Sequence, residues 1–174
     1  LLKEVKVNDL AREMVKFIEP EARKKTVKIN ATLGALLPDV HWDPDRIKQV
    51  LLNLLLNAMQ ATGQGGAITV TTEHVKESAH DQFVRLSVAD TGVGISSEHL
   101  EKLFSPFFTT KGREGSGLGL MTCHHIVDQH RGSIDVESQL GVGTTFRLNL
   151  PIDPRTYDRR KAERKRVKPE ELVL

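Results

Sequence analysis

Asp90-Thr91-Gly92-Val93-Gly94 closes a stretch in which Val84, Leu86 and Val88 alternate with other residues, and Asp90 shares their parity. A carboxylate pointing with core side chains is costly unless hydrogen-bond donors meet it. The exocyclic amine of a bound adenine is one such donor; a cap on the following turn is the alternative use of the same residue. Gly92 and Gly94 let the backbone approach a ligand closely.

A second group lies upstream. Gln49, Asn53 and Asn57 recur every four residues and form a polar ridge along an otherwise apolar helical run. Such ridges usually face water, yet asparagine is a poor helix former, so two in one helix call for a reason. Downstream, Gly112, Gly115, Gly117 and Gly119 follow Lys111, and the last pair opens a helix. Free N–H groups at a helix start attract anions, so this stretch reads as a phosphate loop; a glycine-rich surface loop is the bland alternative. Other phosphate motifs are excluded. The Gly92-Val93-Gly94 pair lacks the third glycine of a dinucleotide fingerprint, with Ser97 in its place, and no Gly-Lys-Ser or Gly-Lys-Thr occurs.

The elements that must position these residues follow from periodicity and punctuation. Asn8 and Asp9 are cap candidates for a first helix carrying Leu10, Met14, Phe17 and Ile18, which Pro20 is expected to kink or restart. Val27, Ile29 and Ala31 alternate as a half-buried strand. Asp43-Pro44 starts a long helix to about Ala61, with Ile47, Val50, Leu51, Leu54, Leu55 and Ala58 as its stripe and Gly63, Gly65 and Gly66 as its end. Strands around Ile68 and Val70 and around Val84 to Val88 read as a hairpin turning near Glu77 to Gln82. A short helix near Ser97 to Leu103 and a helix from about Gly117 to His130 come next. Ile134 and Val136, then Phe146, Leu148 and Leu150, mark a last hairpin around Gly141 and Gly143. The expected fold is α+β: a two-layer sandwich in which a mixed, mostly antiparallel sheet of about five strands is covered on one face by about three helices. No internal repeat is visible.

Taken in order, Asn53 and Asn57, Asp90 to Gly94, Gly115-Ser116-Gly117-Leu118-Gly119-Leu120 and Gly143-Thr144-Thr145-Phe146 resemble the N, G1, G2 and G3 boxes of the Bergerat ATP-binding fold. That fold is shared by histidine kinases, gyrase, Hsp90 and MutL. Leu103 to Lys111, Leu-Phe-Ser-Pro-Phe-Phe-Thr-Thr-Lys, resembles the F box of the histidine kinases, and of their nitrogen-regulation subgroup in particular. The resemblance covers residues 1–151 and implies the catalytic domain of a bacterial sensor histidine kinase. Its cofactors would be ATP and Mg²⁺, with the γ-phosphoryl group passed to a histidine on a separate phosphoacceptor domain.

The same resemblance implies roles for single residues. Asp90 would take the adenine amine, with Gly92, Gly94 and Ile95 beside it and Thr144 or Thr145 completing the pocket. Asn57 would offer its oxygen to magnesium already held by phosphates, which suits an ion that keeps few protein ligands. Lys111, Gly115, Ser116, Gly117, Leu118, Gly119 and Leu120 would line the triphosphate under a short lid of residues 105–116. Asn53 stands where the gyrase and Hsp90 branch has a glutamate that activates water, so transfer is favoured over hydrolysis. Gln60 departs from the Lys or Arg that many histidine kinases carry there. Half of the six phenylalanines, Phe104, Phe107 and Phe108, fall within five residues, to anchor the lid, dock a partner helix or simply pack.

Composition sets the bounds. At 174 residues, with 39% hydrophobic and 28% charged, the chain suits one soluble domain and a tail. No apolar run approaches a bilayer span, no signal peptide opens it, and Cys123 is the single cysteine. These features and the family point to the cytoplasm, in a parent that is soluble or membrane-anchored. Residues 152–174 hold eight Lys or Arg against five Asp or Glu, leaving −1 for the body, which gives no footprint for nucleic acid. That tail reads as a solvated linker, with a docking segment as the alternative. None of the seven histidines sits in a phosphoacceptor pattern, and no Cys/His spacing suits zinc. Residues 1–6 read as the stub of a preceding phosphoacceptor hairpin, so the chain is expected to be a monomeric fragment. Its partners would be that dimerisation domain and a response-regulator receiver. The rival readings are a serine kinase or ATPase of the same fold, and a non-catalytic nucleotide-binding docking module.

Overall fold

The computed structural model describes residues 1–108 and 117–158. In chain order the elements are β1 (Lys3–Val5), α1 (Val7–Lys24), β2 (Lys28–Leu33), β3 (Val40–Trp42), α2 (Pro44–Ala61), β4 (Ala67–Lys76), β5 (Gln82–Asp90), α3 (Ser97–Leu100), α4 (Gly119–Gln129), β6 (Ser133–Gln139) and β7 (Gly143–Pro151). Five strands form one sheet in the order β2-β4-β5-β7-β6. Only β2 and β4 run parallel, because the chain between them crosses over through α2; every other pair is antiparallel. The expected two-layer sandwich is therefore present, with α1, α2 and α4 packed against the sheet.

Strand parity decides which sheet face is covered. Ile68, Val70, Val84, Leu86, Val88, Phe146, Leu148 and Leu150 are buried, and they meet Ile47, Leu51, Leu54, Leu55, Met59 and Ile126 from the helices. The opposite face carries a polar ladder in which Arg85 reaches Glu73 at 2.8 Å and Asn149 at 2.7 Å. Alternation of this kind keeps one face in water and the other in the core.

The start of α2 follows its sequence signal closely. Asp43 is the N-cap, its carboxylate accepts from the Arg46 N–H at 3.3 Å, and Pro44 sits where a missing N–H costs nothing. The buried His130 joins this start to the end of α4. Its Nε2 accepts from the Asp43 N–H at 3.0 Å, and its Nδ1 donates to the Ile126 carbonyl at 2.8 Å, which fixes the neutral tautomer.

Several expectations are corrected. The cap of α1 is Lys6, with no side-chain bond, because Asn8 is drawn instead to the Gly34 carbonyl and to Thr72. Helix α1 runs unbroken through Pro20, which is exposed, so the carbonyl it leaves without a partner can be met by water. Residues 3–5 add a strand that pairs with β3 in a ribbon separate from the main sheet, so the described strands number seven. The short helix is a single turn, Ser97–Leu100, and the last helix begins at Gly119, not Gly117. Residues 159–174, most of the expected tail, lie outside the described residues.

Candidate functional site

Strand β5 ends on Asp90, and the register sets Asp90 opposite Ile68 on one side and Thr144 on the other. Thr144 is opposite Ser138 in turn. Ile68, Asp90, Thr144 and Ser138 thus form one row across four strands, on the helix-covered face at one end of the sheet. Asp90 is half-buried, and burial pushes its carboxyl above the usual carboxylate range while the backbone N–H groups of Gly92 and Thr144 pull it back. The Gly92 N–H donates to Oδ1 at 2.8 Å, so Asp90 both caps the turn and faces the core side.

The loop that follows, 91–96, is fastened on three sides. Val93 N–H donates to the Ala61 carbonyl at the end of α2 at 3.1 Å; Ile95 N–H donates to Ser138 Oγ at 2.8 Å; Gly141 N–H donates to the Val93 carbonyl at 2.8 Å. The contacts are close enough to require glycine. A Cβ on Gly92 would lie 2.5 Å from the Ala61 oxygen, and one on Gly94, at φ +74°, 2.1 Å from the Gln139 oxygen. Gly94 and Gly143 are therefore demanded by backbone meeting backbone around Asp90.

The second wall comes from helices. Asn53 and Asn57 are half-buried on α2, whereas Gln49 and Gln60 are exposed, so the polar ridge turns from solvent toward the protein only in its middle. Asn53 Nδ2 donates to the Gly119 carbonyl at 3.4 Å, tying α2 to the first turn of α4. At the N-cap, Leu118 makes no side-chain cap bond, and a Cβ on Gly119 would meet nothing closer than Asn53, 3.9 Å away. A helix start beside two amides is a site that suits an anion.

Between these walls the F-box residues divide. Phe104 and Phe108 pack against the core, Phe104 with its ring 5.5 Å from that of His124 and Phe108 5.5 Å from His99, while Phe107 is 73% exposed at φ +62°. A Cβ on Gly117 would lie 2.3 Å from the Phe107 carbonyl carbon, so the two backbones touch and the ends of the intervening segment are held together. Residues 109–116, including the expected site residues Lys111, Gly115 and Ser116, lie outside the described residues.

Of the sequence-derived site residues, the fold brings together Asp90, Gly92, Gly94, Ile95 and Thr144 at the sheet end. Asn53 on α2 meets Gly119 at the start of α4, beside Gly117, Leu118 and Leu120 in the chain, and Asn57 lies one turn further along α2. Thr145 is the correction: one residue along β7 reverses the side chain, so it faces the polar side of the sheet, paired with Ala89 and Glu137. Ser138 was missed. Its parity with Ile134 and Val136 on β6 is the signal that would have placed it inward. Among the described residues no group of three or more His, Cys, Asp or Glu could hold a metal. A single amide oxygen such as that of Asn57 would suit a divalent ion carried in by phosphates, which takes few protein ligands.

An α/β sandwich with one polar sheet end, glycine-closed loops and a glycine-opened helix beside two amides defines a nucleotide-binding domain. Residues 42–154 match the family described as histidine kinase-, DNA gyrase B-, and HSP90-like ATPase. The sensor histidine kinase ZraS of Escherichia coli K12 is 44% identical over 152 residues, which cover 87% of this chain and 31% of that protein. The catalytic domain of histidine kinase ThkA matches with a TM-score of 0.79 at 38% identity, over 90% of this chain and 99% of that one. ThkA in complex with the response regulator protein TrrA matches at 0.74 and 36% identity, over 90% of this chain and 43% of that one. Full-length ShkA in complex with AMPPNP matches at 0.77 and 30% identity, over 86% of this chain and 31% of that one. The chain belongs to this ATPase family, in its branch of histidine kinase catalytic domains. It spans about a third of the length of the curated relatives it matches.

Proposed function

We propose that the chain presents Mg-ATP for transfer of the γ-phosphoryl group to a histidine on a phosphoacceptor domain, in the cytoplasm, as part of a two-component signalling protein. The observation that carries this reading is the row of Asp90, Thr144 and Ser138, closed by Gly94 and Gly143, together with Asn53 on α2 bonded to Gly119 at the start of α4. Asp90 accepts from the adenine amine, and Thr144 completes the base pocket with Gly92, Gly94 and Ile95. Gly117, Leu118, Gly119 and Leu120 offer backbone N–H groups to the phosphates, and Asn57 contributes an oxygen to magnesium, which neutralises phosphate charge. Lys111, Gly115 and Ser116 are assigned to the phosphates from their boxes alone.

Phosphoryl transfer depends chiefly on positioning and charge stabilisation, so a domain that holds the nucleotide without an acceptor is chemically sufficient for its half of the reaction. Asn53 supports transfer over hydrolysis: it carries no basic carboxylate, and its amide is engaged with Gly119. The binding of AMPPNP by ShkA and of TrrA by ThkA supports the nucleotide and a response regulator as ligand and downstream partner of this chain too. No helix among the described residues is long and apolar enough to cross a membrane.

Calorimetric titration with ADP and AMPPNP, with and without Mg²⁺, tests the site, followed by mixing with a supplied phosphoacceptor domain and [γ-³²P]ATP. Saturable binding, lost in Asp90→Asn, together with labelled histidine is the expected result. Binding without transfer would leave a nucleotide-binding docking module, and steady ATP turnover by the chain alone would indicate a hydrolase.

A further inference from the structure

Two buried titratable side chains take no part in the proposed reaction, and both lie on α4 facing α2. His130, the C-cap of α4, accepts at Nε2 from the N–H of Asp43, the N-cap of α2, at 3.0 Å. Cys123 Sγ donates to the Val50 carbonyl at 3.8 Å. With the Asn53 amide on the Gly119 carbonyl at 3.4 Å, these make three rungs between two antiparallel helices. The rungs lie seven and three residues apart along α2 and seven and four along α4, spacings that keep them on one face of each helix. Helix α4 buries three of its own residues, Cys123, Ile126 and Val127, where α2 buries seven. Its position therefore depends on the rungs more than that of α2 does.

We propose that His130 is a positioning residue for the phosphate site: by pinning the end of α4 to the start of α2, it keeps Gly119, at the opposite end of α4, against Asn53. The inference rests on the reading of the α4 start as the phosphate site. The eleven residues of α4 span roughly 16 Å, too far for His130 to touch the phosphates, but a helix is stiff and passes a shift at one end to the other. Both ring nitrogens of His130 are committed, because Nδ1 donates to the Ile126 carbonyl at 2.8 Å. The ring cannot turn to improve one bond without giving up the other. Asp90 and Thr144, by contrast, are placed by the pairing of β5 with β7. A displaced α4 therefore costs contacts to phosphates and leaves the base pocket intact.

The test is titration with ADP by calorimetry and with adenosine by chemical-shift mapping, for the wild type, His130→Asn, His130→Gln, Cys123→Ala, Asn53→Ala and the double variant of His130→Asn with Asn53→Ala, each beside a thermal melt. Asparagine sets a donor where Nδ1 lies and does not reach Asp43; glutamine sets an oxygen where Nε2 lies and keeps the Asp43 bond. His130→Asn is expected to weaken ADP about three- to tenfold, the worth of one hydrogen bond, with adenosine unmoved. His130→Gln should stay close to the wild type for both. Cys123→Ala, which removes the middle rung, should weaken ADP by less, again without adenosine, and it carries the test should His130→Asn fold poorly. In the Asn53→Ala background His130→Asn should add little, since the contact it serves is gone. A merely structural histidine lowers the melting temperature and leaves ADP affinity unchanged in the folded protein, or weakens ADP and adenosine alike; either result overturns the proposal. So does a His130→Gln protein as impaired as His130→Asn, or the full His130→Asn effect in the absence of Asn53. Adenosine bound as tightly as ADP by the wild type would sink the phosphate reading of the α4 start, and the role of His130 with it.

Discussion

Asp90 and Thr144 stand opposite each other in the register of β5 and β7, and the N–H of Thr144 joins that of Gly92 in offsetting the cost of burying the Asp90 carboxylate. The offset is incomplete, since burial still dominates and the carboxyl is held above its ordinary value of 3.8. On the proposed reading Asp90 is an acceptor placed where the fold alone would not want a charge, and the consequences can be measured separately on stability and on binding.

Asp90→Asn should bind nucleotide much more weakly and yet melt no lower than the wild type at neutral pH. A carboxylate with a raised folded pKa costs least below its unfolded pKa, and the cost grows as pH rises through the folded value. The amide keeps an oxygen for the Gly92 N–H and carries no charge. The difference in melting temperature, mutant minus wild type, should therefore be zero or positive at pH 7, shrink as pH falls through the raised folded value, and vanish below about 4. A mutant that melts far below the wild type at pH 7 would contradict the burial argument.

Gly143→Ala and Gly119→Ala should separate fold from function. The first puts a Cβ 1.9 Å from the Asp90 carbonyl oxygen at φ +147°, so it should destabilise by roughly 1–3 kcal/mol or more. The second makes only an ordinary contact with Asn53 at 3.9 Å, at the first residue of α4, and should leave the melting temperature within a few degrees, or raise it, as alanine replaces glycine in a helix. Nucleotide affinity should fall in both. Unaltered affinity in a well-folded Gly119→Ala protein would remove Gly119 from the phosphate site.

Much of this arrangement is legible in the sequence, for identifiable reasons. The alternation of Val84, Leu86 and Val88 carried the orientation of Asp90, and Asp43-Pro44 fixed the start of α2 to the residue, because both signals are local. What was not legible depended on partners distant in the chain. Asn8 looked like a cap until its amide met Gly34, and His130 marked only the end of a helix until α4 brought it to Asp43. The parity of Thr144 with Phe146, Leu148 and Leu150 would have chosen it over Thr145, and only the register of β7 against β5 sets it opposite Asp90. Ser138 was passed over because one inward serine on a hairpin strand has meaning only beside Ile95 and Thr144.

Cys123 should be inert toward thiol reagents in the folded chain. It is fully buried on α4, and burial pushes its thiol up to about 11, against a smaller opposing contribution from a hydrogen bond to Asn53. At pH 8 only about a thousandth of such a thiol is ionised, and the thiolate is the nucleophile. Incubation with 5,5′-dithiobis(2-nitrobenzoate) should release no colour in native buffer and one equivalent per chain in denaturant. Fast stoichiometric labelling of native protein would mean that the contact between α2 and α4 opens readily, which would also loosen Asn53 from Gly119.

Trp42, the single tryptophan, should report unfolding and ignore the nucleotide. It is fully buried on β3 and its Nε1–H donates to the Pro151 carbonyl at 2.7 Å, at the end of β7 opposite Thr144. Seven residues of strand separate Thr144 from Pro151, which at about 3.3 Å per residue is roughly 23 Å. Emission should therefore be blue-shifted and unmoved by saturating ADP, then shift red in urea together with the loss of far-ultraviolet circular dichroism. Trp42→Phe leaves the Pro151 carbonyl without its donor and should cost about 1–3 kcal/mol from that group alone, with nucleotide affinity retained in the folded fraction. A red shift on adding ADP would show instead that the two ends of the sheet are coupled, because β7 is the one strand that carries both Thr144 and the Trp42 acceptor.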